Sequence, residues 1–387
     1  MPQVNPRVLA WARETAGLTR EKAAKKIQLG PARGMEPADR ITALETGTDK
    51  PTRSMLARMA KGYRRPLIAL YLEEPPRASQ VGTDFRTLTG ARSAEQDALV
   101  QALVRDVIAR QGIVRSQLED DDAEEARFIG TVTMKDGRPR ALEALRQVVG
   151  GEPGTDVPRR EFDELRNAVE SAGAYVLLQG DLGSHHTALE TVAFRGFVLA
   201  DSLAPFVVIN SNDARPAWSF TLLHEVVHLL LGHTGISGAD AESETEHFCN
   251  DIASEYLLPS TAIEALDVSA LENDELATVL GRLANEWKVS RSLIAYRLHR
   301  SGKINGPTYR RLIEIFRRQW NERRQQRSTG EGGPNPYVVK RHRIGNALLK
   351  LVARGLGEGT LPTTKAALAL GVKPTQVGRI LGMQASA

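Results

Sequence analysis

Residues 224–228 read His-Glu-Val-Val-His, inside a run from Ser219 to Leu231 that is otherwise apolar. In a helix, positions four apart lie one turn apart on one face, so His224 and His228 can grip a single metal ion. Glu225 is rotated about 100° from His224 and can act as general base on a metal-activated water. Burying two His and a Glu without partners is costly, so an apolar helix that carries them needs a reason to do so. The bland alternative is a helix with two hydrogen-bonded core histidines.

A catalytic zinc usually takes three protein ligands and leaves a fourth position open. Downstream, Phe248, Ile252, Ala253, Tyr256 and Leu257 recur at helical spacing, and Pro259 ends the run. Glu242, Glu244, Glu246, His247 and Glu255 are the candidate ligands on this second helix. Glu242 and Glu244 sit near its start, where acids are favoured by the helix dipole anyway. Glu255 lies on a different level from Glu246. His233 follows the first helix too closely. Glu246, beside the apolar stripe that must pack on the first helix, is the expected third ligand. Asn250, one turn on, can hydrogen-bond the far nitrogen of a ligand His. Tyr296 and His299 are candidate donors to a tetrahedral oxyanion.

Three motifs, Phe220-Thr-Leu-Leu-His-Glu-Val-Val-His228, Glu246-His-Phe-Cys-Asn250 and Ala253-Ser-Glu-Tyr-Leu-Leu-Pro259, resemble those of the ImmA/IrrE metallopeptidases. The strand-like Pro205–Asn210 and the helical Trp287–His299 are similar to flanking elements of that family, so the resemblance covers roughly residues 160–300. It departs at Ile252, where the family usually has Phe, and at Val226-Val227, where many members have a small residue. The resemblance implies zinc held by His224, His228 and Glu246, with Glu225 as the catalytic base. It also implies a narrow protein substrate, such as a transcriptional repressor, in a stress or mobile-element response.

The composition is that of a soluble globular protein: 41% hydrophobic and 25% charged, at a length of 387 residues that can hold two or three domains. A single cysteine, Cys249, excludes an internal disulfide and suits a reducing cytoplasm. It reads as a small buried hydrophobe. No apolar signal region and no stretch of eighteen apolar residues occur, so no membrane is expected. The net charge of +4 permits contact with nucleic acid without requiring it.

The N-terminus has the rhythm of a helical DNA-binding module. Val8–Ala16 stops at Gly17; Thr19 caps Arg20–Ile27; Pro37–Thr46 ends at Gly47; Thr52–Gly62 follows. This succession resembles the XRE/Cro-type helix-turn-helix family, whose third helix enters the major groove. Asp39, Arg40 and Thr42 are therefore the candidate DNA contacts. The turn Gln28–Glu36 is longer than the family's tight connection, and a protein-binding role is the alternative.

A long helix is expected from Ser93 to about Leu118, and linkers at 150–155 and 328–336. Asp84–Leu88 reads as loop. Ala174–Leu178, Thr191–Leu199 and Phe206–Asn210 read as strands, and His185-His186 as part of a loop between them. The C-terminal stretch, basic at Lys340-Arg-His-Arg343, again has helix-turn-helix rhythm over Ala366–Leu381. The expected fold is α+β: a zincin-like catalytic core with a small β-sheet and two metal-site helices, flanked by all-helical N-terminal and C-terminal modules. The expected domains are 1–76 (helix-turn-helix), 77–155 (helical connector), 156–327 (zinc peptidase with a helical subdomain) and 337–387 (C-terminal helical module). The expected function is a narrow zinc endopeptidase coupled to DNA binding, with a co-encoded protein as a further partner. The rival from another class is a non-proteolytic regulator or antitoxin-like partner that uses the zincin fold for binding. Retention of Glu225 argues against it, because metal binding alone does not require that residue.

Overall fold

The structure is a computed structural model that describes residues 4–32, 34–76, 93–151, 161–237, 243–268, 271–327 and 335–382. The candidate ligand Glu242, the loop Asp84–Leu88 and most of both expected linkers lie outside the described residues. The chain forms two compact units: Met1–Asp106 with Leu182–Ala193, and Val107–Asp181 with Phe194–Ala387.

The first unit is helical: α1 (Pro6–Glu14), α2 (Arg20–Lys26), α3 (Pro37–Thr46), α4 (Arg53–Tyr63) and the start of α5 (Ala94–Asp120). Sequence explains the boundaries. The side chains of Asn5, Thr19 and Thr52 cap α1, α2 and α4, and Gly47 ends α3 in the left-handed conformation at φ 82°. Leu9, Ile27, Ile41, Leu44 and Met59 form the core. Arg13 is buried beside it, bonded to Glu45 at 2.5 Å and to the Leu18 carbonyl at 2.8 Å. The long turn between α2 and α3 is ordered by a backbone bridge between Ala32 and Met35.

The second unit holds a four-stranded sheet in the order β1-β3-β2-β4. β1 (Tyr175–Leu178) is parallel to β3 (Phe206–Ile209); β2 (Gly196–Leu199) is antiparallel to β3 and to β4 (Gly235–Ser237). The first three strands are buried along their whole length, which is why they read as continuous apolar runs rather than alternating ones. The expected strand over Thr191–Leu199 contracts to its last four residues. Asn210 draws in the chain before it, donating its backbone N–H to the Arg195 carbonyl and its side-chain amide to that of Phe194.

α8 (Arg215–Leu230) packs on β2 and β3, and α9 (Glu244–Leu257) packs on α8; α6 (Gly137–Val149) and α7 (Phe162–Ser171) close the same core. A second core joins α10 (Ser260–Glu264), α11 (Asn273–Trp287), α12 (Arg291–Arg300) and α13 (Gly306–Arg327). The last helices, α14 (Pro336–Ile344), α15 (Asn346–Gly357), α16 (Thr363–Leu370) and α17 (Val377–Leu381), complete the unit. α14 and α15 lie against β1. The architecture is mixed α+β, a zincin-like core with helical modules. Among the described residues, no helix is long and apolar enough to cross a membrane.

Candidate metal centre

α8 can bury His224, Glu225 and His228 because a helix satisfies its own backbone, leaving only the three side chains to be partnered. Pro216 sits in its first turn, where a missing N–H costs nothing. α9 starts at Ser243, whose hydroxyl accepts from the Glu246 N–H at 3.2 Å. That cap places Glu246 in the first turn, where the helix dipole favours a carboxylate.

The two helices bring three donors together. His224 Nε2 lies 3.1 Å from Glu246 Oε2, His228 Nε2 lies 3.1 Å from Glu246 Oε1, and the two Nε2 atoms are 3.1 Å apart. Ligands of a tetrahedral zinc, each about 2.0–2.1 Å from the metal, stand about 3.3 Å from one another. The donor set therefore fits zinc in both chemistry and spacing. Among the described residues this is the group of His, Cys, Asp and Glu that could hold a metal ion.

Electrostatics agree with the spacing. Burial opposes the charged form of His224, but the hydrogen bond it makes to Glu246, the charges of Glu225 and Glu246 and the neighbouring Asn250 outweigh it and raise its pKa. At His228 burial dominates, Glu246 only partly offsets it, and the pKa falls. Burial also opposes the Glu246 anion, yet the bonds from His224 and His228 hold its pKa down to about 2. Surroundings that favour positive charge at His224 and an anion at Glu246 also favour a cation between them.

Glu225 is fully buried and lies directly under the first residue of β2. A Cβ built on Gly196 would come within 2.4 Å of Glu225 Oε1 and 2.8 Å of Thr221 Cγ2. Sequence reading missed Gly196 as a site residue. Its signal was a glycine within a strand-like run, which marks a close backbone approach. Ser243, the cap that sets Glu246, was also missed; a Ser before a helical run is a standard start signal.

Residues 179–299 match the family model of the IrrE N-terminal-like domain, a peptidase family. The match suggests a metallopeptidase of the ImmA/IrrE type. No curated protein and no solved structure matches the chain. The IrrE-like segment contains α8, β4, α9 and α12, and so every residue of the donor set.

The other candidates within the segment are placed elsewhere. Glu244 and His247 are exposed. Glu255 accepts from Arg297, and from the Ser260 N–H and hydroxyl. His233 is exposed beyond the end of α8. Of the expected oxyanion donors, Tyr296 donates to Asp251 at 2.8 Å, and His299 stacks on Tyr309 with centroids 5.0 Å apart and has Nδ1 3.3 Å from the Ile304 carbonyl. Cys249 is buried, and burial together with Glu246 and Glu225 pushes its thiol pKa far up, as for a small hydrophobe. His185 and His186 fall in the segment that clusters with the first unit. In that unit, Asp39 is exposed on α3, Arg40 donates to the Gly30 carbonyl, and Thr42 bonds back to the Ala38 carbonyl at 3.2 Å. Arg40 thus fastens α3 to the long turn.

Proposed function

We propose that the chain is a zinc-dependent endopeptidase of narrow specificity that cleaves a transcriptional regulator in the cytoplasm, and that its N-terminal helices bind DNA. The observation that carries the peptidase reading is the trio of mutually adjacent donors with a second acid, Glu225, buried beside them under a glycine. Zinc held by His224, His228 and Glu246 would supply Lewis-acid activation of water and of the scissile carbonyl. Glu225 takes the proton of the attacking water on its carboxylate and returns it to the leaving amine. Asn250, one turn after Glu246 on α9, is the residue placed to orient the ring of His224. Burial of His228 lowers its pKa and so favours the neutral ring that can ligate. For the N-terminal helices, the support is the succession of four short helices, three of them with side-chain caps, and the exposure of Asp39 in the first turn of α3.

The test combines metal content with cleavage. Protein stripped of metal and reconstituted with zinc should hold about one equivalent. It should also cut a repressor encoded beside it. Glu225→Gln should keep the zinc and the fold and lose several orders of magnitude in rate. Full metal loading with no cleavage of any co-encoded protein, and the same partner binding in Glu225→Gln, would favour the non-proteolytic regulator instead.

A further inference from the structure

The chain from Pro336 to Gly382 carries eight Lys and Arg against a single acid, Glu358, a formal charge of +7. The whole protein is only +4, so this stretch holds more than its entire positive excess. The same residues fold into a compact helical set. In α16 the inward residues are Ala366, Ala367, Ala369 and Leu370. The chain then turns at Gly371, in the left-handed conformation at φ 63°. A tight turn over Pro374–Gln376 leads straight into α17, whose Val377 and Ile380 also face inward. Two helices joined by a short glycine turn over a shared core make a helix-turn-helix. A Cβ at Gly371 would meet the Arg110 guanidinium at 2.1 Å, so α5 fixes the turn from behind.

The opposite face is open. Thr363, Thr364 and Lys365 are exposed at the start of α16; Lys373 and Thr375 are exposed where the second helix begins, followed by Arg379. Among the described residues Lys365 and Lys373 make no ion pair. A helix-turn-helix meets duplex DNA with the start of its second helix against the major groove, while its first helix crosses the backbone. The cations and hydroxyls here stand at those two places. We propose that α14–α17 form a second DNA-binding module, with Lys365 and Lys373 on phosphates and Thr375 at the groove. Arg379, which hydrogen-bonds the Tyr337 hydroxyl at 3.2 Å, braces the second helix. This proposal does not rest on the peptidase reading.

The experiment measures binding of the full zinc-loaded chain to a labelled 30-base-pair duplex over a range of salt, for the parent and four variants. Lys365→Glu/Lys373→Glu should weaken binding at least tenfold and flatten the salt dependence by about two phosphate contacts, a change of about 1.8 in the log–log slope. Lys365→Arg/Lys373→Arg should bind as the parent does. Arg317→Glu/Arg318→Glu makes the same charge change on exposed positions of α13 and should stay within about twofold. Arg40→Ala reports separately on the N-terminal helices. The proposal is overturned if the first pair binds like the parent, if the α13 pair loses as much, or if the parent binds no DNA at low salt. An acidic protein captured by the parent in that last case would make this face a protein contact. Loss in Arg40→Ala alone would leave the N-terminal reading standing and sink this one.

Discussion

Glu225 occupies its place because Gly196 has no side chain. The two are 29 positions apart, and the contact exists only because β2 crosses above α8. Local spacing exposed the two histidines in the sequence, since a separation of four is a property of any helix. Helical phase on the second run also singled out Glu246, which the structure sets beside them. A contact between a strand and a helix has no such local signature, so Gly196 appeared only as a glycine in an apolar run. Gly196→Ala should force the Glu225 carboxylate aside, because the new Cβ has nowhere to go within 2.4 Å of it. The expected result is cleavage reduced at least tenfold with about one zinc still bound. Zinc loss equal to the activity loss would show that the strand, not the carboxylate, had moved. At the ligand itself, Glu246→Ala should abolish tight zinc binding, while Glu244→Ala and Glu255→Ala should keep it. The reverse pattern in a metal titration would transfer the third ligand.

At the scale of the element, α9 does two tasks on two faces. Glu246 and Asn250 face α8, while Asp251 and Glu255 face α12. Asp251 is the junction: it accepts from Tyr296 at 2.8 Å, from Arg300 at 2.6 and 3.0 Å, and pairs with Arg138 of α6 at 2.7 Å. Sequence showed helical rhythm in α9 and α12 but nothing that would join them, because partners 45 and 49 residues away carry no mark of each other. Burial opposes the charge on Asp251, but the bonds from Arg300 and Tyr296 and the charges of Arg138 and Arg300 outweigh it and hold its pKa below the usual range. A carboxylate with a depressed folded pKa stabilises the fold fully above its unfolded pKa of about 3.9, and that stability drains away as the pH falls below it. Asp251→Asn should therefore cost about 2–3 kcal/mol at pH 7. The gap to the parent should narrow as the pH drops below about 4. Urea unfolding of both proteins, stripped of metal so that histidine ligation does not enter, measures the difference. A gap that is constant down to pH 3 would show that Asp251 is not the titrating lock.

At the scale of the molecule, the question is how a basic C-terminal set of helices becomes part of the unit that carries the donor set. The sequence suggested a tethered module, since the stretch before Pro336 is rich in glycine and polar residues. Within the second unit the helices are held by groups that the sequence could not pair. Arg166 of α7 is buried; its guanidinium donates to the carbonyls of Val176, His342 and Arg343, and it pairs with Glu170 at 3.2 Å. Glu170 in turn accepts the N–H groups of Asn346 and Ala347, both at 3.0 Å, and so caps the start of α15. Gly345 is required between them, since a Cβ there would meet Glu170 Oε1 at 2.3 Å. Burial opposes both charges: the Glu170 pKa is raised and that of Arg166 is lowered, so each depends on the other to remain ionised. Breaking such a pair from one side leaves an uncompensated buried charge and costs about 3–5 kcal/mol, whereas replacing both sides with apolar groups can cost much less. Arg166→Met and Glu170→Leu should each destabilise by about that amount in chemical unfolding. The double variant should fall well short of the sum, with a coupling of at least about 1 kcal/mol. In the single variants, α14 and α15 should become open to limited proteolysis while α8 and α9 remain protected. Costs that add without coupling, or cleavage that begins equally in the metal-site helices, would mean that the pair is not what joins the C-terminal helices to the sheet.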